Sequence, residues 1–193
     1  MPPKPFLLCD VDDTVLEFAK CFQDWAVKRG YVPDGEVRET GSISKVFGWS
    51  DEITHDRIDE FYEDAAFGEI TPEPCAREVL PRLHEAGYKF IAITACSDAR
   101  HIVEKRRQNL RNAFGFNWYH VHCTGVRRPK DNYLWTYEPT YWVEDNTEHA
   151  VCGAQIGHQS LLLDRPYNAN FSHPSVKRVS CWREIEAIVR GAE

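Results

Sequence analysis

The run Phe6-Leu7-Leu8-Cys9-Asp10-Val11-Asp12-Asp13-Thr14 constrains this chain more than any other stretch. A short apolar run suits a strand buried on both faces of a parallel sheet. It ends in carboxylates at Asp10 and Asp12, with a threonine inside the same turn. A strand that stops at an aspartate delivers it to the carboxyl edge of the sheet, where open α/β folds bind ligands. Two carboxylates there can hold a hard cation, and one of them can instead serve as a nucleophile. An Asp-rich turn with no chemical role is the plain alternative, because aspartate favours turns for local hydrogen-bonding reasons.

The pattern downstream extends the sheet. Apolar runs at 88–95, 117–123, 140–144, 159–163 and 176–181 read as strands. Between them, 75–86, 98–113 and 146–156 read as helices, and a last helix carries Trp182, Ile185, Ile188 and Val189. Strands alternating with helices predict an α/β, doubly wound, Rossmann-like parallel sheet. The segment after the first strand differs. Residues 16–29 and 55–66 have helical apolar spacing, whereas 31–54 is punctuated by Pro33-Asp34-Gly35, Gly41-Ser42 and Gly48 and reads as irregular. With no strand pattern over 17–76, this segment is expected to be a small helical cap. Residues 1–16 and 77–193 would then form the catalytic core.

Composition narrows the function. The 193 residues carry a formal net charge of −7, which argues against binding a nucleic-acid polymer. The seven cysteines show no Cys-x-x-Cys spacing, so they predict free thiols in a reducing compartment rather than a zinc or redox centre. The N-terminus has neither a signal-peptide nor a transit character, and no run is long enough to span a membrane. A cytoplasmic protein with no membrane association is the expectation.

Three predicted strand ends share a chemical character. The first presents Asp10 and Asp12, the second Thr94, and a later one Glu144-Asp145; Arg127-Arg128-Pro129-Lys130 lies between the last two. Carboxylates, a hydroxyl and an ammonium around one point suit phosphoryl transfer, which needs an in-line nucleophile and neutralisation of charge.

The order Asp10-x-Asp12-x-Thr14, Thr94, Lys130, Glu144-Asp145 resembles the four motifs of the haloacid dehalogenase superfamily of phosphohydrolases, and the likeness covers nearly the whole chain. It implies catalytic roles for Asp10 (attack on phosphorus, forming an aspartyl-phosphate), Asp12 (acid to the leaving oxygen, then base to water), Thr94 (hydrogen bond to the phosphoryl group) and Lys130 (charge neutralisation). It also implies Mg²⁺ held by Asp10, the backbone carbonyl of Asp12, and Asp145, with Glu144 orienting that shell.

Within the superfamily the chain is most similar to the 5'(3')-deoxyribonucleotidase-like group. Phe18, Phe47-Gly48-Trp49 and Phe67 fall where that group places aromatics around the base, and Leu163-Asp164-Arg165-Pro166-Tyr167-Asn168 is also similar. The resemblance therefore implies a nucleoside monophosphate substrate bound by Phe18, Phe47, Trp49 and Phe67, with a homodimer left open. The bland account of those rings is a cap core. Three departures stand out: Asp13 where the superfamily usually has glycine, Ala95 where the nucleotidases tend to carry a second hydroxyl, and Asn146 after Glu144-Asp145. A phosphatase of another small ester, such as a sugar phosphate, is the alternative within enzymes, and an inactive scaffold used for binding is the alternative outside them.

Other candidates read as structural. His120 and His122 share a strand face, Ser42-Ile43-Ser44-Lys45 matches an acyl-transfer pattern without its companions, and Glu104-Lys105-Arg106-Arg107 with Arg111 reads as a solvated helix face. Arg127 and Arg128 stand close enough in sequence to substitute for Lys130.

Overall fold

The computed structural model describes residues 6–126 and 128–191. One six-stranded sheet contains β1 (Phe6–Cys9), β2 (Lys89–Thr94), β3 (His120–Cys123), β4 (Tyr141–Glu144), β5 (Gln159–Leu163) and β6 (Val176–Val179). All neighbours are parallel, in the order β3-β2-β1-β4-β5-β6. The α/β class and the doubly wound parallel sheet expected from the sequence are what the chain forms.

The inner strands β1, β2, β4 and β5 are buried on both sides because both faces are covered, whereas the edge strands β3 and β6 expose His120 and Lys177. Leu7 and Cys9 join the larger core, while Leu8 points the other way, to Ile91, Ile93, Leu134 and Trp142. Adjacent side chains of a strand alternate between faces, so a continuous apolar run fills two cores at once.

The strand order reverses beside β1, with β2 on one side and β4 on the other. A crevice opens at such a switch point, outside the carboxyl ends of the strands. Asp10 follows β1 there and Asp145 follows β4, while Thr94 closes β2.

Between β1 and β2 the chain forms α1 (Phe18–Lys28), α2 (Val37–Thr40), α3 (Ile43–Phe47), α4 (Asp51–Glu63) and a 3-10 turn at Ala65–Glu69, then α5 (Pro74–Glu85). The chain leaving and the chain returning pair with each other: Glu17 N–H donates to Thr71 C=O at 2.9 Å and Glu73 N–H to Val15 C=O at 2.8 Å. Residues 31–54, expected to be irregular, contain α2 and α3, and α4 begins at Asp51 rather than 55. Gly41, Ser42 and Gly48, read as loop punctuation, are helix caps, whereas Pro33-Asp34-Gly35 lies outside any helix. Ser42 and Ser50 accept the N–H groups of Lys45 and Ile53, and Gly41 and Gly48 end α2 and α3 in the left-handed conformation.

The remaining helices are α6 (Arg100–Phe114), α7 (Asp131–Leu134), α8 (Thr147–Ile156) and α9 (Trp182–Gly191). The helix before β2 starts at a proline, and Glu73 caps it by accepting the Ala76 N–H at 2.6 Å. It packs on α9. Trp182, the first residue of α9, is fully buried and donates its indole N–H to Thr14 C=O at 2.9 Å, so the last helix braces the loop that carries Asp10 and Asp12. None of the described helices is long and apolar enough to cross a membrane. All seven cysteines are free, with Cys9, Cys96 and Cys123 buried.

Candidate active site

Lys130 bridges the carboxyl ends of β1 and β4 at the switch point. Its Nζ lies 2.5 Å from Asp10 Oδ1 and 3.1 Å from Glu144 Oε2, and its side chain is almost wholly buried. It precedes the short helix α7, whose Tyr133 and Leu134 N–H groups bond back to the Lys130 carbonyl, fixing where the side chain begins. Arg128, the alternative by sequence, is exposed and pairs with Asp98 instead, and Arg127 lies outside the described residues.

Asp10, Glu144 and Asp145 are buried and can bring one oxygen each within 4.8 Å of one another. Burial alone would push the Lys130 ammonium down, but Asp10, Glu144 and Asp145 together outweigh it and raise it above the ordinary lysine value. The same desolvation, with the Asp10 charge, lifts Glu144 well above the carboxylate range and pushes Asp145 up to about 6. A lone lysine does not balance three buried carboxylates, and an all-oxygen donor set suits a hard divalent cation. The residues therefore fit Mg²⁺. Glu144 is engaged at both oxygens, by Lys130 and by the Asn146 N–H at 3.2 Å, whereas among the described residues Asp10 Oδ2 has only the Thr14 hydroxyl, at 3.4 Å.

Asp145 is held on both sides. Thr14 Oγ1 donates to Oδ1 at 3.0 Å and stands 3.4 Å from Asp10 Oδ2; the Tyr167 hydroxyl donates to Oδ2. Asn168 Nδ2 donates to the Asp145 carbonyl and to that of Leu163, both at 2.8 Å, joining the ends of β4 and β5. The sequence assigns no role to Tyr167 or Asn168 individually, although both lie in a segment that carries part of the family resemblance.

Asp12 is gripped from two elements. Thr94 Oγ1, at the end of β2, lies 3.4 Å from Oδ2, and Arg106 Nη2, on α6, lies 2.6 Å from Oδ1. Burial raises the Asp12 carboxyl, and the Arg106 charge opposes that rise. Arg106 departs from the expectation of a solvated helix face: it is fully buried. Its position, four residues after Ile102 and four before Leu110, carries the signal, since both of those are buried apolar residues on one helical stripe.

Asp13, the departure from glycine, has φ 57°, the only positive value among the described non-glycine residues. Aspartate tolerates the left-handed region better than most side chains. Arg165 donates twice to its carbonyl, at 2.9 and 2.6 Å.

The aromatic candidates divide. Phe18 lines a cavity of about 380 Å³ that also touches Asp13, Val37, Asp145 and Tyr167. Phe47 and Trp49 stack on each other at 4.4 Å and meet Phe22 edge-on. Phe67 is fully buried, against Phe61, Tyr62 and Arg106. The geometry thus brings Asp10, Asp12, Thr94, Lys130 and Asp145 together, sets Phe18 beside them, and leaves Phe47, Trp49 and Phe67 packed among the inserted helices. His122 bonds to the Tyr137 hydroxyl at 2.6 Å, as a satisfied strand face would.

No protein-family model matches the chain, and no curated protein matches it. Solved structures do. A haloacid dehalogenase-like family hydrolase from Streptococcus pneumoniae superposes with a TM-score of 0.65 at 13% identity, over 97% of this chain and 99% of that one. L-2-haloacid dehalogenase from Xanthobacter autotrophicus, with chloropropionic acid covalently bound, gives 0.66 at 12% identity, over 98% and 100%. CbbY from Rhodobacter sphaeroides, in complex with phosphate, gives 0.60 at 16% identity, over 93% and 95%. At such identities the likeness speaks for architecture. With its strand order, its helical insertion after β1 and its acidic switch point, the chain has the fold of the haloacid dehalogenase-like hydrolases.

Proposed function

We propose that this chain is a Mg²⁺-dependent phosphohydrolase that works through an aspartyl-phosphate, and that its substrate is a nucleoside monophosphate. The observation that carries the reading is the Lys130 ammonium shared between Asp10 and Glu144, next to Asp145 at the switch point. A carboxylate attacking a phosphate dianion meets like charge, and a lysine beside the nucleophile removes part of that repulsion. Mg²⁺, held by Asp10, Asp145 and the Asp12 carbonyl, would supply the rest as a Lewis acid.

Asp10 attacks phosphorus while Asp12, gripped beside it, gives a proton to the leaving oxygen and later takes one from the attacking water. Thr94 donates to a phosphoryl oxygen, and Lys130 holds the charge that builds on the transferring group. Burial of Asp10, Thr94 and Lys130 keeps bulk water from the acyl phosphate.

L-2-haloacid dehalogenase is among the structural neighbours. Displacing a halide from carbon involves neither a dianion nor a leaving group that needs a proton. The clustered acids and the paired Asp12 favour a phosphate ester over that chemistry, and the phosphate held by CbbY supports the same choice. The nucleotide assignment rests on Phe18 and Tyr167, two rings lining the cavity that adjoins Asp145.

Phosphate release from a panel of nucleoside monophosphates, sugar phosphates and p-nitrophenyl phosphate, with Mg²⁺ and with EDTA, tests the reading. Mg²⁺-dependent hydrolysis with nucleotides preferred is expected. Hydrolysis of none of them refutes the enzyme, and sugar phosphates outrunning nucleotides refute the nucleotide assignment. Asp10→Asn is expected to abolish turnover with the fold intact.

A further inference from the structure

We propose that Arg106 is a positioning residue that holds the Asp12 carboxylate against Thr94. The chemical part of this inference rests on the phosphohydrolase reading; its geometric part does not.

Arg106 comes from α6, on the stripe that also buries Ile102, Asn109 and Leu110. Its side chain has no exposed surface, and Nη2 donates to Asp12 Oδ1 at 2.6 Å. Nε and Nη1 are buried with no hydrogen-bond partner. Desolvating a guanidinium and leaving donors unpaired is costly, and an apolar residue on this stripe would fill the space without that cost. Such a local violation marks positions retained for a job rather than for stability. The job visible here is the grip on Asp12. One carboxylate oxygen faces Arg106 and the other faces Thr94 at 3.4 Å, so the plane of the carboxylate is set from two elements outside the β1 loop.

Arg106 is itself held. The guanidinium carbon lies 4.4 Å from the centre of the Phe67 ring, whose face attracts a cation. Around it, Lys105 donates to the carbonyls of Tyr62 and Glu63 at 2.7 and 3.0 Å, and Asn109 donates to that of Ile70 at 3.0 Å. Three contacts along α6 therefore tie the helix to the end of the insertion, and the middle one reaches through to Asp12. Asp12 is aimed by a side chain that the returning segment of the insertion locks in place. Arg106 touches neither the nucleophile nor the cavity beside Asp145, so it acts through Asp12.

The test compares Arg106→Met, Arg106→Lys and, as a control, Arg107→Met on the exposed side of the same helix. Arg106→Met is expected to lower kcat by about 100-fold, the scale of a small misplacement of a reacting group. KM should stay within about threefold, because no ground-state contact to substrate is lost. Arg106→Lys keeps the buried charge without the planar reach and should recover about tenfold of the loss. In an Asp12→Asn background, Arg106→Met should change kcat by less than about twofold, as required of a residue that works only through its partner.

A raised KM with kcat unchanged would make Arg106 a substrate ligand and overturn the proposal. Unchanged kcat with a lower melting temperature would make it structural, with the same consequence, as would full additivity with Asp12→Asn. Where Arg106→Met does not fold, the kcat-against-KM split of Arg106→Lys decides. A crystal structure of the Arg106 variant separates this inference from the one beneath it. Asp12 turned away from Thr94 supports positioning even if the wild-type chain hydrolyses no ester, a result that would sink only the phosphohydrolase reading. Asp12 unmoved overturns positioning whatever the activity.

Discussion

The carboxylate of Asp13 accepts the backbone N–H of Ala19 at 3.0 Å, and so caps α1 from outside its first turn. The residue at the formal cap position, Glu17, makes no side-chain cap bond. The departure from glycine thus has a use: one residue supplies both a left-handed turn and the cap. It also carries a cost. Burial and the Asp145 charge push the Asp13 carboxyl well above the usual range. Asp13→Asn keeps the acceptor and the tolerance of positive φ while removing the charge, so its denaturation midpoint in EDTA should rise. Asp13→Ala loses both cap and turn and should cost about 2 kcal/mol. Equal stability of the two variants would refute the capping account.

Replacing Lys130 should separate catalysis from metal binding. Lys130→Met leaves Asp10, Glu144 and Asp145 facing one another without their buried counter-charge. Breaking such a pair costs about 3–5 kcal/mol, seen as a drop in unfolding free energy in EDTA. Turnover should fall by about 100-fold or more. Mg²⁺ should nevertheless raise the variant's melting temperature by more than it raises the wild type's, because the ion meets a more negative site. A smaller shift in the variant would mean that Lys130 helps to build the ion site.

The acidic cluster also sets a pH dependence. In the folded chain Asp145 is pushed up to about 6 by burial and by Asp10, whereas an unfolded aspartate titrates near about 4. Between those values the folded state holds the proton more tightly, so stability is lost as pH rises through the window and the loss is complete above it. The Asp145→Asn variant has no such proton. In EDTA, the wild type should lose stability relative to that variant from about pH 4 to about pH 6 and then run parallel to it. Excess Mg²⁺ competes with the proton and should remove the difference. A flat difference curve in EDTA would show that Asp145 is not strained in this way.

Residues that end strands are legible from the chain's apolar pattern, because a parallel sheet collects its carboxyl ends on one edge. Asp10, Thr94, Glu144 and Asp145 all belong to that class. Lys130 is legible only through order and spacing, and the fold separates it from Arg128 by which side chain reaches Asp10. Arg106 is hidden by its neighbours. Within Glu104-Lys105-Arg106-Arg107 four charges in a row suggest a wet surface, and the helical phase that buries only one of them shows in the spacing to Ile102 and Leu110. The short helices α2 and α3 escape because serine and glycine punctuate loops and cap helices alike. Tyr167 escapes for a different reason: its partner Asp145 follows another strand, and no local pattern announces a tertiary hydrogen bond.

Tyr167 joins the acidic cluster to the inserted helices. Its hydroxyl donates to Asp145, and its ring lies against Gly41, the left-handed residue that ends α2. A Cβ on Gly41 would fall 2.8 Å from the ring's Cγ, at φ +64°. Tyr167→Phe removes the hydrogen bond that orients Asp145 and should weaken Mg²⁺ binding by about 10- to 100-fold, read by calorimetry or by the Mg²⁺ dependence of melting. Gly41→Ala touches no carboxylate, yet it must displace the Tyr167 ring, so it should weaken Mg²⁺ in the same direction on top of a stability loss. Combined with Tyr167→Phe it should add little to the loss of affinity, because the hydroxyl through which it acts is already gone. Unaltered Mg²⁺ affinity in Tyr167→Phe would remove the hydroxyl from the support of Asp145, and affinity losses that add in the double variant would show that Gly41 acts by another route.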